Sequence, residues 1–251
     1  MSIRLVAIGD STVEGIEDPG PDGVYVGWAD RFARHLDVIH PGLLYANLAV
    51  RGQTAREVHQ TQLRPALALE PDFAIVVAGV NDVLQPRFDR AGLRDDLFAM
   101  HAMLAATGAR VITFTMPDMA RVAPIAVLLR RRLQFLNEVT KQCGEHYGSI
   151  VVDLAAAPVA SHPALWHTDR LHGNSEGHRR IAAALAEAVG YDVGDWRAAL
   201  PPVPESSRLR IALGEAVWAG SNLFPWIWER LRGQSSSDGV TCKRPDLLPV
   251  A

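Results

Sequence analysis

One serine in this 251-residue chain occupies a position that suits a nucleophile. An apolar run over residues 3–8 leads directly into Gly9–Thr12, so Ser11 comes at the end of a predicted strand and just before a predicted helix. Open parallel α/β sheets bind their ligands outside the carboxyl ends of the strands. A serine hydroxyl becomes an effective nucleophile when a neighbouring base removes its proton, so Ser11 needs a partner from elsewhere in the chain.

His172 is the best candidate for that base among the histidines of the chain. It lies in a loop after the last predicted strand, and this loop leaves the same edge of the sheet that presents Ser11. The ordinary pKa of histidine lies near neutral pH, which suits proton transfer in both directions. Asp169 precedes it by three residues and can accept a hydrogen bond from the second ring nitrogen, which would fix the tautomer and stabilise the imidazolium.

Two further strand ends supply candidate donors for an oxyanion hole. Gly52 follows the second predicted strand and lets the backbone approach a ligand closely. Asn81 follows the third and carries a side-chain amide that can donate. With the backbone N–H of Ser11 as a third donor, these groups could hold the negative charge that develops on an attacked carbonyl oxygen.

The elements that must position these residues alternate regularly between strand and helix. Predicted strands cover residues 3–8, 43–49, 73–78, 110–115 and 150–154, and predicted helices lie around 28–36, 55–68, 92–106, 125–147 and 175–189. The strands are continuous apolar runs, as expected when both faces of a parallel sheet are covered. This order predicts an α/β protein, a doubly wound three-layer sandwich with right-handed crossovers.

The candidate residues also match a known family in their order along the chain. Ser11 in Gly-Asp-Ser, Gly52, Asn81 in Gly-x-Asn-Asp and His172 in Asp-x-x-His resemble the four defining positions of the SGNH, or GDSL-type, esterase and lipase superfamily. Each short motif is weak alone, but four of them in order at successive strand ends are strong together. The resemblance spans roughly residues 3–190.

This resemblance implies a flavodoxin-like α/β/α sandwich built on five parallel strands. It also implies ester hydrolysis without a metal or cofactor, in a shallow groove without a large lid, with Asp169 completing a catalytic triad. One departure is Thr12, which stands where the Gly-Asp-Ser-Leu motif has leucine. That position has no catalytic role, so the expected activity is unaffected, although packing and groove shape can change.

The pattern changes near residue 192, which we take as the boundary between an SGNH hydrolase domain (1–192) and a C-terminal extension (193–251). A proline-rich linker over 201–204 leads into a helical pattern, and a tail with Pro245 and Pro249 follows. The pattern places apolar or small residues at spacings of three and four: Leu209, Leu213, Val217, Gly220, Phe224, Ile227 and Leu231. The extension is too short to build much core of its own. Its apolar stripe could pack on the domain, form a homodimer or contact a lipid interface.

Composition excludes several other classes of function. The net charge of −3 offers no electrostatic case for nucleic acid or an anionic membrane. Two distant cysteines form neither a disulfide framework nor a zinc site. The N-terminus has no apolar signal core and no uncharged run could span a bilayer, which favours a soluble cytoplasmic protein.

The sequence therefore predicts a serine hydrolase that cleaves carboxylic esters of a small-molecule substrate through an acyl-enzyme. An acyltransferase with the same triad and a non-catalytic flavodoxin-like binding module are the alternatives. Several residues in loops at the same sheet edge could line an acyl pocket: Val83, Leu84, Met116, Met119 and Trp166.

Overall fold

The computed structural model describes residues 2–21, 23–203, 214, 217–218, 220 and 239–250. Its strands are β1 (Arg4–Gly9), β2 (Leu44–Asn47), β3 (Phe73–Val77), β4 (Arg110–Phe114), β5 (Ile150–Val152) and β6 (Arg244–Pro249). Its α-helices are α1 (Ser11–Glu14), α2 (Gly27–Ile39), α3 (Ala55–Thr61), α4 (Leu63–Ala68), α5 (Val80–Leu84), α6 (Arg90–Ala106), α7 (Arg130–Tyr147) and α8 (Ser175–Ala188).

The strands form one sheet in the order β5-β4-β3-β1-β2-β6, with β1 to β5 parallel. Leu5 and Ala7 of β1 pack into one apolar core with α2 and α8. Val6 and Ile8 pack into a second core with α3, α4, α6 and α7 on the opposite face. Successive side chains of a strand point to opposite faces, so a strand buried on both faces is apolar throughout. The predicted three-layer sandwich is confirmed.

The prediction of five strands is wrong, because the C-terminal tail supplies a sixth. β6 pairs antiparallel with β2, with Leu248 opposite Tyr45. Prolines at 245 and 249 favoured an irregular tail, but an edge strand tolerates proline because one side of its backbone needs no ladder partner. Lys243 fastens the tail through its Nζ, 2.8 Å from Asp30, and the Arg244 side chain donates to the Tyr45 carbonyl at 2.8 Å.

Two predicted helices are interrupted. The segment 55–68 divides into α3 and α4 at Gln62, whose side chain reaches back to β1. The segment 125–147 begins as a 3-10 helix, Pro124–Leu129, and continues as α7. The side chain of Arg132, at the start of α7, donates to the carbonyls of Val83 and Gln85 at 3.1 and 2.6 Å. It thereby holds the end of α5.

The helical stretch predicted within the C-terminal extension falls mostly outside the described residues, which include only Gly214, Val217, Trp218 and Gly220 of it. Within the described part of the chain, no helix combines the length and apolarity that a membrane crossing requires.

Candidate active site

Ser11 lies where β1 turns into α1, at the carboxyl edge of the parallel strands. Gly9 makes the turn possible because a Cβ there would lie 2.2 Å from the Val77 carbonyl oxygen of the adjacent strand. The Gln62 side chain bonds both the N–H and the C=O of Gly9 at 2.8 Å. Asp10 caps α1 by accepting from the Thr12 N–H at 3.0 Å. These contacts fix the backbone on both sides of the serine.

The structure brings Ser11, His172 and Asp169 into one hydrogen-bonded chain. The Ser11 Oγ lies 2.7 Å from His172 Nε2, and His172 Nδ1 lies 2.6 Å from Asp169 Oδ2. The His172 side chain is 13% exposed and that of Asp169 is 23% exposed. With Nδ1 donating to the carboxylate, Nε2 is free to accept the serine proton, which is the arrangement that general-base activation requires.

Asp169 is held as a carboxylate by donors around it. Burial raises the pKa of Asp169, but the hydrogen bond with His172 and the two backbone N–H donors outweigh it, so the pKa lies below its ordinary value. Those backbone donors are Leu171 and His172, which reach Oδ1 at 3.0 and 3.1 Å. An ionised Asp169 can therefore stabilise an imidazolium at His172 across the pH range in which histidine titrates.

The loop that carries His172 is anchored by the start of α8. Asn174 caps this helix by accepting from the N–H groups of Glu176 and Gly177 at 3.1 and 3.0 Å. His178 bonds the Trp28 N–H at 3.1 Å, which joins α8 to α2. Burial lowers the pKa of His178 to about 4, so its ring is neutral and structural at ordinary pH. His178 therefore joins two helices, whereas His172 is the histidine that contacts Ser11.

The two other predicted oxyanion donors come from neighbouring strand ends. Gly52 is buried in the turn after β2, where its φ of 77° is in the left-handed region that favours glycine. Asn81 is 7% exposed at the start of α5. Its amide nitrogen lies 3.1 Å from the Gln53 carbonyl and 3.3 Å from Asp10 Oδ2. The Asn81 amide is thus directed at the loop beside Ser11 and engaged in bonds there.

The carboxylates of Glu14 and Asp82 hold these loops together. Glu14 accepts from the Arg51 N–H at 2.9 Å and pairs with the Arg51 guanidinium, which fixes the residue before Gly52. Asp82 accepts from the Ala55 N–H at 2.8 Å, which joins α5 to α3. Burial raises the pKa of Asp82 to about 6.

An apolar cavity of about 90 Å³ opens beside His172 and Thr12. It runs between the carboxyl ends of β4 and β5 and helix α8, and its walls include Phe114, Leu154, Ala160, Leu165, Ile181 and Trp196. Of the predicted pocket residues, Met116, Met119 and Trp166 line this cavity. Val83 is 3% exposed and packs in the core on the other side of the sheet. Neither Val83 nor Leu84 is part of the cavity wall.

A second group of polar side chains surrounds Asp169. His167 Nε2 lies 3.3 Å from Glu17 Oε2, and His167 Nδ1 lies 3.8 Å from Asp169 Oδ1. In the described part of the chain these three residues bring potential metal-ligand atoms within 4.8 Å of one another. However, both oxygens of Asp169 already accept N–H donors. Asp169 is therefore engaged with the His172 loop, and His167 Nδ1 has no hydrogen-bond partner among the described residues.

Several supporting residues gave no signal in the sequence. Gln62, Glu14 and Trp218 contact residues that are 53, 37 and 49 positions away. No short motif links such partners. Glu14 follows Ser11 by one helical turn and Arg51 precedes Gly52, so these two were adjacent to motifs, but their ion pair depends on the order of β1 and β2 in the sheet.

Comparisons with known proteins agree on one family. Residues 7–180 match the GDSL-like Lipase/Acylhydrolase family. The chain is 24% identical over 212 residues to an acetylxylan esterase from Geobacillus stearothermophilus, covering 75% of this chain and 94% of the relative. Among solved structures, LAE5, an α/β hydrolase enzyme from the metagenome of Lake Arreo in Spain, has a TM-score of 0.63 at 24% identity, covering 76% of this chain and 97% of that one.

The acetylxylan esterase Axe2 of Geobacillus stearothermophilus has a TM-score of 0.63 at 22% identity, covering 77% of this chain and 95% of that structure. The fold and the site thus define an α/β hydrolase-like protein of the SGNH class. The family match extends over more than half of the sequence, so the chain belongs to the GDSL-like lipase/acylhydrolase family. It is an ester-hydrolysing enzyme, as the sequence predicted.

Proposed function

We propose that this enzyme hydrolyses carboxylic esters in two steps through an acyl-enzyme on Ser11. His172 takes the hydroxyl proton as the Ser11 oxygen bonds to the ester carbonyl carbon, and Asp169 stabilises the imidazolium. The tetrahedral intermediate then collapses, the bond to the alcohol oxygen breaks, and His172 gives the proton to the leaving alcohol. Water repeats the sequence on the acyl-enzyme, which releases the acid and restores the serine.

The negative charge on the carbonyl oxygen would be held by the backbone N–H groups of Ser11 and Gly52 and by the amide of Asn81. The Asn81 amide would exchange its long 3.3 Å contact with Asp10 for a bond to the oxyanion. Its other hydrogen can stay on the Gln53 carbonyl at 3.1 Å, which keeps the side chain oriented. Such preorganised donors are the largest single source of rate enhancement in many acyl-transfer enzymes.

The observation that carries this proposal is the 2.7 Å approach of His172 Nε2 to the Ser11 Oγ. The direct test is covalent labelling with a fluorophosphonate. We expect one label per chain, located by mass spectrometry on Ser11 and abolished in Ser11→Ala. A folded protein that stays unlabelled, or that is labelled elsewhere, would contradict the proposal. Binding of a nucleotide without labelling would instead favour the binding-module alternative.

We further propose that the acyl group of the substrate is a short apolar chain that enters the cavity beside His172. One water molecule needs roughly 10–15 Å³ of such cavity volume. The cavity has about 90 Å³ and therefore has room for several carbon atoms. The walls are apolar, and each buried methylene contributes about 0.8 kcal/mol. An acetyl group would leave most of this space unfilled.

A panel of p-nitrophenyl esters, from acetate to decanoate, tests the substrate class. We expect kcat/KM to rise about fourfold per added methylene until the cavity is full, and then to fall. Ala160→Phe places a ring in the cavity and should move the optimum towards acetate. Ala155→Phe, at an exposed position outside the cavity, is the matched control. An optimum at acetate in the unchanged enzyme would contradict the proposal.

The choice between hydrolysis and transfer to another alcohol depends on the acceptor, and we propose water. Product analysis in the presence of small alcohols decides this, since a transferase would form new esters faster than it releases acid.

A cytoplasmic location and a homodimer through the C-terminal helix stay predictions. Sedimentation measures the second of these directly.

A further inference from the structure

Trp218 of the C-terminal extension contacts the loop that carries Asp169 and His172. Its indole Nε1–H donates to the backbone carbonyl of Asp169 at 3.0 Å. Its ring lies under the Arg170 guanidinium, 5.3 Å from the ring centroid. Trp218 therefore meets two consecutive residues of the candidate catalytic loop, one through a hydrogen bond and one through a cation–π contact.

The backbone at this contact is one that a non-glycine residue seldom adopts. Arg170 has a φ of 59°, in the left-handed region, between Asp169 and the two N–H groups that bond the Asp169 carboxylate. A residue other than glycine is strained in the left-handed region and keeps that conformation only when its surroundings hold it in place. The Trp218 indole N–H bonds Asp169, and the Trp218 ring packs against Arg170. Trp218 therefore contacts both residues at this strained point of the backbone.

We propose that Trp218 is a positioning residue, through which the C-terminal extension holds the Asp169–His172 loop in its catalytic conformation. The family match ends at residue 180, so Trp218 lies outside the part of the chain that the family shares. The extension then has a role in catalysis in this chain, acting through Asp169 rather than by touching substrate. This inference rests on the proposed function of Ser11, His172 and Asp169.

The test compares Trp218→Phe with Trp218→Ala in the full-length enzyme. Phenylalanine keeps a ring beneath Arg170 but removes the N–H, and alanine removes both. We expect kcat to fall about fivefold in Trp218→Phe and further in Trp218→Ala, with KM unchanged, because one hydrogen bond contributes about 1 kcal/mol. Tyr191→Phe is the control, since it removes one hydroxyl that bonds His40, away from the site.

A second readout is the far-downfield proton NMR signal of the His172 Nδ1–H. We expect this signal to move or broaden in Trp218→Phe and to stay in place in Tyr191→Phe. Unchanged kcat and an unchanged signal in Trp218→Phe would overturn the positioning role, as would a fall in thermal stability with kcat intact. The signal reports on the loop even without turnover. An unlabelled, inactive wild-type enzyme would instead overturn the proposed function, so the two failures are distinguishable.

Discussion

At the scale of single residues, burial and hydrogen bonding shift the pKa values of the acids near Ser11 in opposite directions. Asp169 has a lowered pKa because donors surround its two oxygens, whereas burial raises the pKa of Asp10, which lies one residue before the serine. Among the described residues, Asp169 is the acid that bonds His172 Nδ1, at 2.6 Å. Environment therefore selects the carboxylate that can stabilise an imidazolium.

Asp169→Asn tests this selection. The amide keeps the shape but lacks the charge and can favour the wrong histidine tautomer, so we expect kcat to fall by about three to four powers of ten. Because its pKa is lowered, the ionised Asp169 carboxylate also stabilises the fold. This contribution is fully present above the ordinary pKa of aspartate and is lost as the pH falls through the lowered pKa of Asp169. Asp95→Asn, at an exposed position on α6, is the control. Retention of full turnover in Asp169→Asn would assign the role to another acid.

Asn81→Ala tests the proposed role of Asn81 as an oxyanion donor. We expect kcat to fall by about 10²–10³ with little change in KM, because the lost bond forms mainly in the transition state. Burst kinetics with an activated ester separate acylation from deacylation and should show both steps slowed. A rise in KM at constant kcat would mean that Asn81 binds the ground state instead.

At the scale of elements, the site is assembled from loops at the ends of β1, β2 and β3 and from the loop before α8. Helix α5 carries Asn81, and it is held at both ends: Asp82 bonds the start of α3, and Arg132 of α7 bonds the carbonyls at its C-terminus. Five residues of helix have little stability alone. The position of Asn81 is therefore a property of three helices together.

Asp82→Asn is a prediction about this junction. Burial raises the pKa of Asp82 to about 6, so the folded state binds a proton more tightly than the unfolded state. The free energy of unfolding should then decrease as pH rises from about 4 to about 6 and stay level above that. An asparagine oxygen can still accept from Ala55, so we expect the variant to be more stable than wild type above pH 7, by about 1–3 kcal/mol. Urea unfolding at several pH values measures the free energy of unfolding of both proteins. The same pH dependence in wild type and variant would contradict the prediction.

At the scale of the whole molecule, the described part of the C-terminal tail returns to the sheet and to the start of α2. β6 covers the edge of β2, and Lys243 joins the tail to α2 through Asp30 and the carbonyls of Tyr25 and Val26. An uncovered edge strand pairs readily with other chains. The tail therefore covers the β2 edge with a strand that carries two prolines.

Removal of residues 241–251 should lower the Tm by about 5–10 °C and promote association at high concentration, because the β2 edge becomes exposed. Calorimetry and light scattering measure the two effects. Lys243→Met keeps the strand but removes the ion pair, so its loss of Tm should be smaller. A shortened chain with unchanged Tm and unchanged light scattering would show that β6 does not contribute to stability.

Much of this architecture was predictable from local pattern. Buried parallel strands are apolar on both faces and end at turn residues, so β1 to β5 and the loops holding Ser11, Gly52, Asn81 and His172 could be located in advance. The sixth strand was missed because its prolines and half-exposed side chains do not resemble a buried strand. Val83 was expected near the substrate because it was assigned to a loop at the same sheet edge as Ser11, but the direction of a side chain on α5 depends on how that helix packs.

The amino-acid sequence by itself determined the order of strands and helices, the family, and the candidate residues at the strand ends, because these depend on neighbours a few positions apart. Only the tertiary structure decided which groups meet: Ser11 with His172 across 161 positions, Asp169 with Trp218 across 49, and the cavity walls. The physical reason is that such contacts arise from strand order and helix packing, in which residues far apart in the chain share one edge of the sheet.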